Sequence, residues 1–180
     1  MSRTVTDHGS PDRFVAGTIG LPGDRTFYLQ SRKGLDVQTV VLEKEQVALL
    51  AEKLVELVDE AAQTADADET SDPTDLEPLE TPLTEAFRVG AFGIGWDTGA
   101  GRVVLEIHAV TEGDEEIPDI GDDTDTGPDC LRVWLTPGAA RAFAARSASL
   151  VAAGRPPCPF CHLPLDPDGH ICPRANGYRR

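Results

Sequence analysis

A chain of 180 residues, 40% of them hydrophobic, can bury a real core as one ordinary domain or two small ones. Its formal charge of −15 repels phosphate backbones and anionic membrane surfaces, which disfavours nucleic-acid and membrane binding. No apolar run approaches a membrane span, and the opening "MSRTVTDHGSPDRF" has no signal-peptide centre, so a cytoplasmic protein with thiols or metal ligands rather than disulfides is expected.

In chain order, residues 1–12 read as a disordered N-terminus. Residues 13–63 then carry three apolar runs, "FVAGTIG" at 14–20, "TFYLQ" at 26–30 and "VQTVVLE" at 37–43, separated by turns. A helical period follows, with Val47, Leu50, Leu54, Leu57, Val58 and Ala61 on one face. Residues 64–86, rich in Asp, Glu, Thr and Pro, read as an acidic disordered linker.

Residues 87–154 repeat the order of the first unit. "FRVGAFG" at 87–93 matches the earlier run as F-x-x-G-x-[IF]-G, and "VVLEIHAV" at 103–110 and "LRVWLT" at 131–136 supply two more strands. Thr136 is the expected N-cap of a second helix, Pro137 its first position and Gly154 its C-cap. The expected fold is α+β: two β-β-β-α repeats sharing an antiparallel sheet core with pseudo-twofold symmetry, plus a small C-terminal zinc knuckle. The glycines of "GAFGIGW" precede a hairpin turn and a strand rather than a helix. A dinucleotide loop therefore fails, and bulges or close packing are expected instead.

The two units differ between their second and third strands. The first has the short basic link "SRKGLD" at 31–36; the second has a long acidic loop over 111–130. A loop of that length is usually functional or disordered. Asp123 and Asp125 share the first EF-hand spacing, but Gly127 and Trp134 stand where later ligands belong. Glu106 and His108 alternate onto one strand face and are expected to be a surface or satisfied pair. The competing reading is an enzyme with a site between the repeats, where His108 acts as general base. Cys130, at a strand start, reads as a small packed residue.

The densest chemistry lies in residues 155–180. "CPFCHLPLDPDGHICPR" places Cys158 and Cys161 as C-x-x-C, then His170 and Cys172 as H-x-C. Three thiolates and one imidazole fill a tetrahedral shell without a position for water, which points to structural zinc. His162 is an alternative ligand to His170. A redox C-x-x-C would open a helix, and Pro164 and Pro167 forbid one. The basic end, with Arg174, Tyr178, Arg179 and Arg180, either folds back on acidic loops or contacts RNA or a protein.

The repeated F-x-x-G strands, the acidic insert and the ending "CPFC…DPDGHICPRANGYRR" together resemble an uncharacterised actinobacterial repeat-protein family, a domain of unknown function with a C-terminal CPxC…GHxCPR motif. The resemblance covers nearly the whole chain. It implies genes often placed near a phosphomutase-like and a lipid-kinase-like protein, and it supplies no activity and no catalytic residues. The expected function is that of a non-enzymatic, zinc-stabilised adaptor whose partner is another protein. The enzyme near Glu106 and His108 and a zinc-knuckle nucleic-acid binder are the alternatives.

Overall fold

Among the described residues, period-two alternation of apolar residues sets seven strands into one sheet, and two amphipathic helices cover one of its faces. The computed structural model describes residues 2–64, 72–111, 113, 115–154, 157–163, 165 and 170–174. The elements are β1 Val5–Asp7, β2 Arg13–Ile19, β3 Thr26–Lys33, β4 Asp36–Leu42, α1 Lys44–Thr64, β5 Glu85–Asp97, β6 Arg102–Ala109, β7 Cys130–Leu135 and α2 Pro137–Ala152. Strand order is β1-β7-β6-β5-β4-β3-β2.

Within each half the strands form an antiparallel meander, β2–β3–β4 and β5–β6–β7. The halves meet through a parallel β4–β5 pair, and β1 adds parallel to β7. The sheet is therefore mixed rather than antiparallel. A parallel pair needs a crossover connection, and the chain from α1 onward supplies it. The structure shows one mixed sheet and does not by itself establish the expected pseudo-twofold. β2 and β5 run the same way, and the second meander continues the first along the sheet.

Both helices follow from local signals. Thr136 caps α2 by accepting from the Ala139 N–H at 3.1 Å, with Pro137 just inside the first turn. The C-cap is Ala153, one residue before the expected Gly154. At the start of α1, Gln46 Oε1 accepts from the Glu43 N–H at 2.8 Å, the side-chain half of a capping box. Val47, Leu50, Ala51, Leu54, Val58 and Ala61 are its buried positions, while Leu57 is half-buried. The helices close over Phe27, Leu29, Val40, Leu42, Val103, Leu105, Ile107, Leu131, Val133 and Leu135.

The opposite face carries the alternate residues. In the first half these are Val15, Tyr28 and Val41, which cluster with Leu79. Leu79 belongs to residues 72–84, expected as disordered linker but lying against the sheet as a strap. Arg13 clamps Asp75 with two bonds of 2.7 and 3.0 Å, Arg32 reaches Glu80 at 2.8 Å, and Gln30 holds the Glu80 backbone. The acidic residues that read as solvated are thus the counterions of basic strand residues. Asp66, Asp68 and Glu69 of the same stretch lie outside the described residues.

The N-terminus is likewise ordered where disorder was expected. His8 donates its backbone N–H to Arg132 O in β7 at 3.0 Å, while its Nδ1 meets Ser31 Oγ in β3 at 2.8 Å. In a flat sheet those strands, four steps apart in the order, would stand about 19 Å from each other. One histidine spans both, so the sheet curls and residues 8–12 tie its two sides together. Asp12 N–H continues the tie to Arg32 O at 2.8 Å.

Candidate metal centre

After α2 the chain turns on two backbone bonds. Cys158 N–H donates to Leu163 O at 2.8 Å, and His162 N–H donates to Cys158 O at 2.9 Å. His162 closes this turn with φ of 62°, a left-handed conformation that few side-chain-bearing residues adopt. The turn brings Cys158 and Cys161 to one side, and the returning chain adds His170 and Cys172. One donor atom from each lies within 4.8 Å of all the others. His162 is not in the group.

The spacing can be tested against a metal shell. A tetrahedron with Zn–S near 2.3 Å has S–S edges of about 3.8 Å and S–N edges of about 3.5 Å. Cys158 Sγ to Cys172 Sγ is 3.8 Å, and Cys161 Sγ to His170 Nε2 is 3.2 Å. The four lie close enough to hold one ion, in a donor set compatible with zinc. Burial opposes a thiolate at Cys158, but the Cys161 and Phe160 N–H groups and the neighbouring thiols outweigh it and bring the pKa below the ordinary thiol value. Cys161 moves the other way: burial and the thiols of Cys158 and Cys172 raise it, against a lowering hydrogen bond from the Leu163 backbone. One proton is thus shed more readily than the next, as expected for thiols crowded around one point. Arg174 donates to Phe160 O at 3.3 Å, while Tyr178, Arg179 and Arg180 lie outside the described residues.

A second cluster lies on the strap-bearing face of the sheet. The β6–β7 register sets His108 opposite Cys130 and Glu106 opposite Arg132. Glu106 and His108 are both fully buried, against the expectation of a surface or satisfied pair. Arg132 Nε donates to Glu106 Oε1 at 2.6 Å, and the Gly121 N–H donates to the same oxygen at 2.9 Å. Glu106 Oε2 faces His108 Nε2 at 3.4 Å without a hydrogen bond. That oxygen and both ring nitrogens of His108 have no hydrogen-bond partner among the described residues.

The acidic loop over 115–129 covers this cluster. Ile120 sits over Gly93 and Gly95, where Cβ atoms would come within 3.1 and 3.3 Å of it, so the glycines of "GAFGIGW" make room for a lid. Gly90 marks the bulge where β5 shifts register against β6. Arg3 reaches in from the N-terminal segment, donating to Pro128 O at 3.0 Å and Asp122 O at 2.7 Å. Burial keeps the His108 pKa below its ordinary 6.5 even though Glu106 pulls it upward. Burial first, then Glu106, pushes the Cys130 thiol up to about 11. Cys130 was legible only as a packed residue, because its meeting with His108 depends on a register that the long loop hides.

A cleft of about 420 Å³ opens between the strap and α2, lined by Arg13, Arg102, Trp134, Phe143 and Arg146. Its arginines are engaged with Asp75, Ser10 and Ala16, and neither cluster lines it.

Fold and donor set together define a mixed α+β protein with a Cys/His cluster able to hold a metal near its C-terminus. The chain belongs to the family described as "Protein of unknown function (DUF3090)", which matches residues 6–172. No curated protein and no solved structure matches it. Among the described residues no helix is long and apolar enough to cross a membrane.

Proposed function

We propose that the C-terminal segment is a structural zinc module, with Cys158, Cys161, His170 and Cys172 as ligands, through which a non-enzymatic adaptor engages another protein. The observation that carries the reading is the company the four donors keep. Of the large apolar side chains described around them, Phe160, Leu163 and Ile171 are exposed, Ile171 at 84%, and Leu165 is half-buried. A segment that turns most of its apolar residues outward has little core of its own, so a metal must supply the order. A structural zinc is worth on the order of 10–16 kcal/mol in small peptides. Side chains held outward in this way form a ready anchor for a partner surface. His162 fits the turn rather than the shell, which favours His170 as the fourth ligand. A zinc-knuckle contact with nucleic acid has less support, since the chain's net charge of −15 opposes a polyanion.

The test has two stages. Elemental analysis of the untagged chain beside Cys158→Ser/Cys161→Ser should show one zinc per chain lost in the variant; identical metal content refutes the module. Crosslinking in the native host with wild type and Phe160→Ala/Ile171→Ala should then lose a specific protein. Indistinguishable partner sets, with the metal retained, refute the adaptor.

A further inference from the structure

We propose that Glu106, His108 and Cys130 form a second metal site, a buried Glu/His/Cys set for a divalent transition-metal ion such as zinc. It lies on the opposite side of the body from the helices, beneath the acidic loop, and owes nothing to the tail.

Three independent observations converge on it. The first is donor geometry: one carboxylate oxygen, one imidazole nitrogen and one thiol, all buried, lie within 4.8 Å of one another. Two of them are alternate residues of β6 on one face and the third is paired with His108 on β7, so rigid sheet rather than loop holds all three. A mixed O, N, S set suits a borderline ion of the zinc kind and excludes magnesium or calcium.

The second is unmet bonding. Glu106 Oε2 and both nitrogens of His108 are buried without a hydrogen-bond partner among the described residues. Buried polar atoms almost always have a partner, and Glu106 Oε2 and His108 Nε2, unsatisfied and 3.4 Å apart, call for an occupant between them. A single water is the rival. It would satisfy Glu106 and His108, but it gains little from a thiol at the same point, whereas a thiolate is a strong ligand for zinc.

The third is charge. Around the donors the negative groups are Glu106, Asp7 and Asp123 and the positive ones are Arg3 and Arg132, a surplus of one negative charge while Cys130 is a thiol. Loss of the thiol proton on binding makes the surplus two, which a divalent ion neutralises. Arg132 binds Glu106 through Oε1 only, leaving Oε2 free for an ion. A neutral imidazole, the form burial favours at His108, is also the form that coordinates. On binding, the thiol proton leaves to solvent and the Cys130 sulfur joins the ion. The three protein donors leave a fourth position on the ion for water.

The decisive experiment uses the full chain with Cys158→Ser/Cys161→Ser/Cys172→Ser, which leaves Cys130 as the sole thiol. Anaerobic cobalt(II) titration should saturate at one ion per chain and develop a thiolate-to-cobalt charge-transfer band. Adding Cys130→Ser should abolish the band, and adding Glu106→Gln should weaken binding by tenfold or more. No band in a chain that retains its wild-type circular dichroism overturns the proposal. If this triple variant does not fold, zinc counting on the otherwise intact protein still decides. Cys130→Ser alone should remove one ion per chain whatever the tail binds, and an unchanged count overturns the proposal. Loss confined to the tail variants would support the tail module and refute this site; the reverse pattern would do the opposite.

Discussion

Leu79 rests directly on the bare backbone of Gly17: a Cβ at residue 17 would stand 2.5 Å from Leu79 Cγ. The strap over 72–84 has no helix or strand, so its attachment depends on this buried leucine and on its ion pairs. Gly17→Ala should therefore cost about 1–3 kcal/mol by overpacking and should open the strap to protease. Urea unfolding and limited proteolysis measure the two effects. Gly93→Ala is the control. Its Cβ would approach Ile120 at 3.1 Å, but Ile120 is 42% exposed and can shift, so the cost should stay within about 0.5 kcal/mol. Equal costs at the two glycines would refute the strap's packing role.

The strap's second anchor makes its attachment sensitive to acid. Asp75 is held below its ordinary pKa of 3.8, chiefly by the hydrogen bond from Arg13 and against the opposing effect of burial. A carboxyl depressed in the fold contributes stability above its unfolded value, and that stability is lost as pH falls through the folded one. Stability should thus fall with acidification below about pH 4, and Asp75→Asn should flatten that slope while lowering stability at neutral pH. Thermal melts across the acid range provide the check. An unchanged slope in Asp75→Asn would place the acid sensitivity elsewhere.

Most regular elements were legible because their signals are local. Alternation marked β2 to β7, and Thr136-Pro137 marked the start of α2. The tail cluster was legible for the same reason, since its four donors lie within one short stretch. What escaped depends on distant partners. β1 is three residues long and exists because β7 accepts it. The strap reads as linker by composition, because acidic residues look solvated until Arg13, Arg32 and Arg146 are placed beside them. The parallel β4–β5 junction was not legible, because equal order of elements does not fix how two units are joined. Even the matched glycines serve different ends, Gly17 beneath Leu79 and Gly90 at a bulge.

Arg146 joins three parts of the molecule from the middle of α2. Its Nε donates to Ala16 O in β2 at 2.6 Å, and its Nη1 donates to Asp75 O at 2.6 Å and to Asp75 Oδ1 at 3.1 Å. Lysine keeps the charge but not the planar fork, so Arg146→Lys should strand at least one buried acceptor and cost about 1–3 kcal/mol. A double-mutant cycle with Asp75→Asn, read by urea unfolding, should show coupling of about 0.5 kcal/mol or more. Additive costs would mean that Arg146 supports α2 and β2 without holding the strap.

The four thiols should divide three to one by where they sit. The tail turns Phe160, Leu163 and Ile171 outward and has little core beneath it, so removing metal should open it and expose Cys158, Cys161 and Cys172. Cys130 is 1% exposed, in a strand between β6 and β1, so opening the tail does not uncover it. An aromatic disulfide reagent added to chelator-treated protein should therefore find three fast thiols, and a fourth that reacts only at the rate of global unfolding. Added zinc should slow the three together, because losing one ligand of a shared ion loosens the rest. Three thiols that react at independent rates, unaffected by zinc, would mean that the tail cysteines do not share an ion. A fast fourth thiol would mean that the acidic loop opens without the sheet, which its contacts with Glu106, Arg132 and Arg3 argue against.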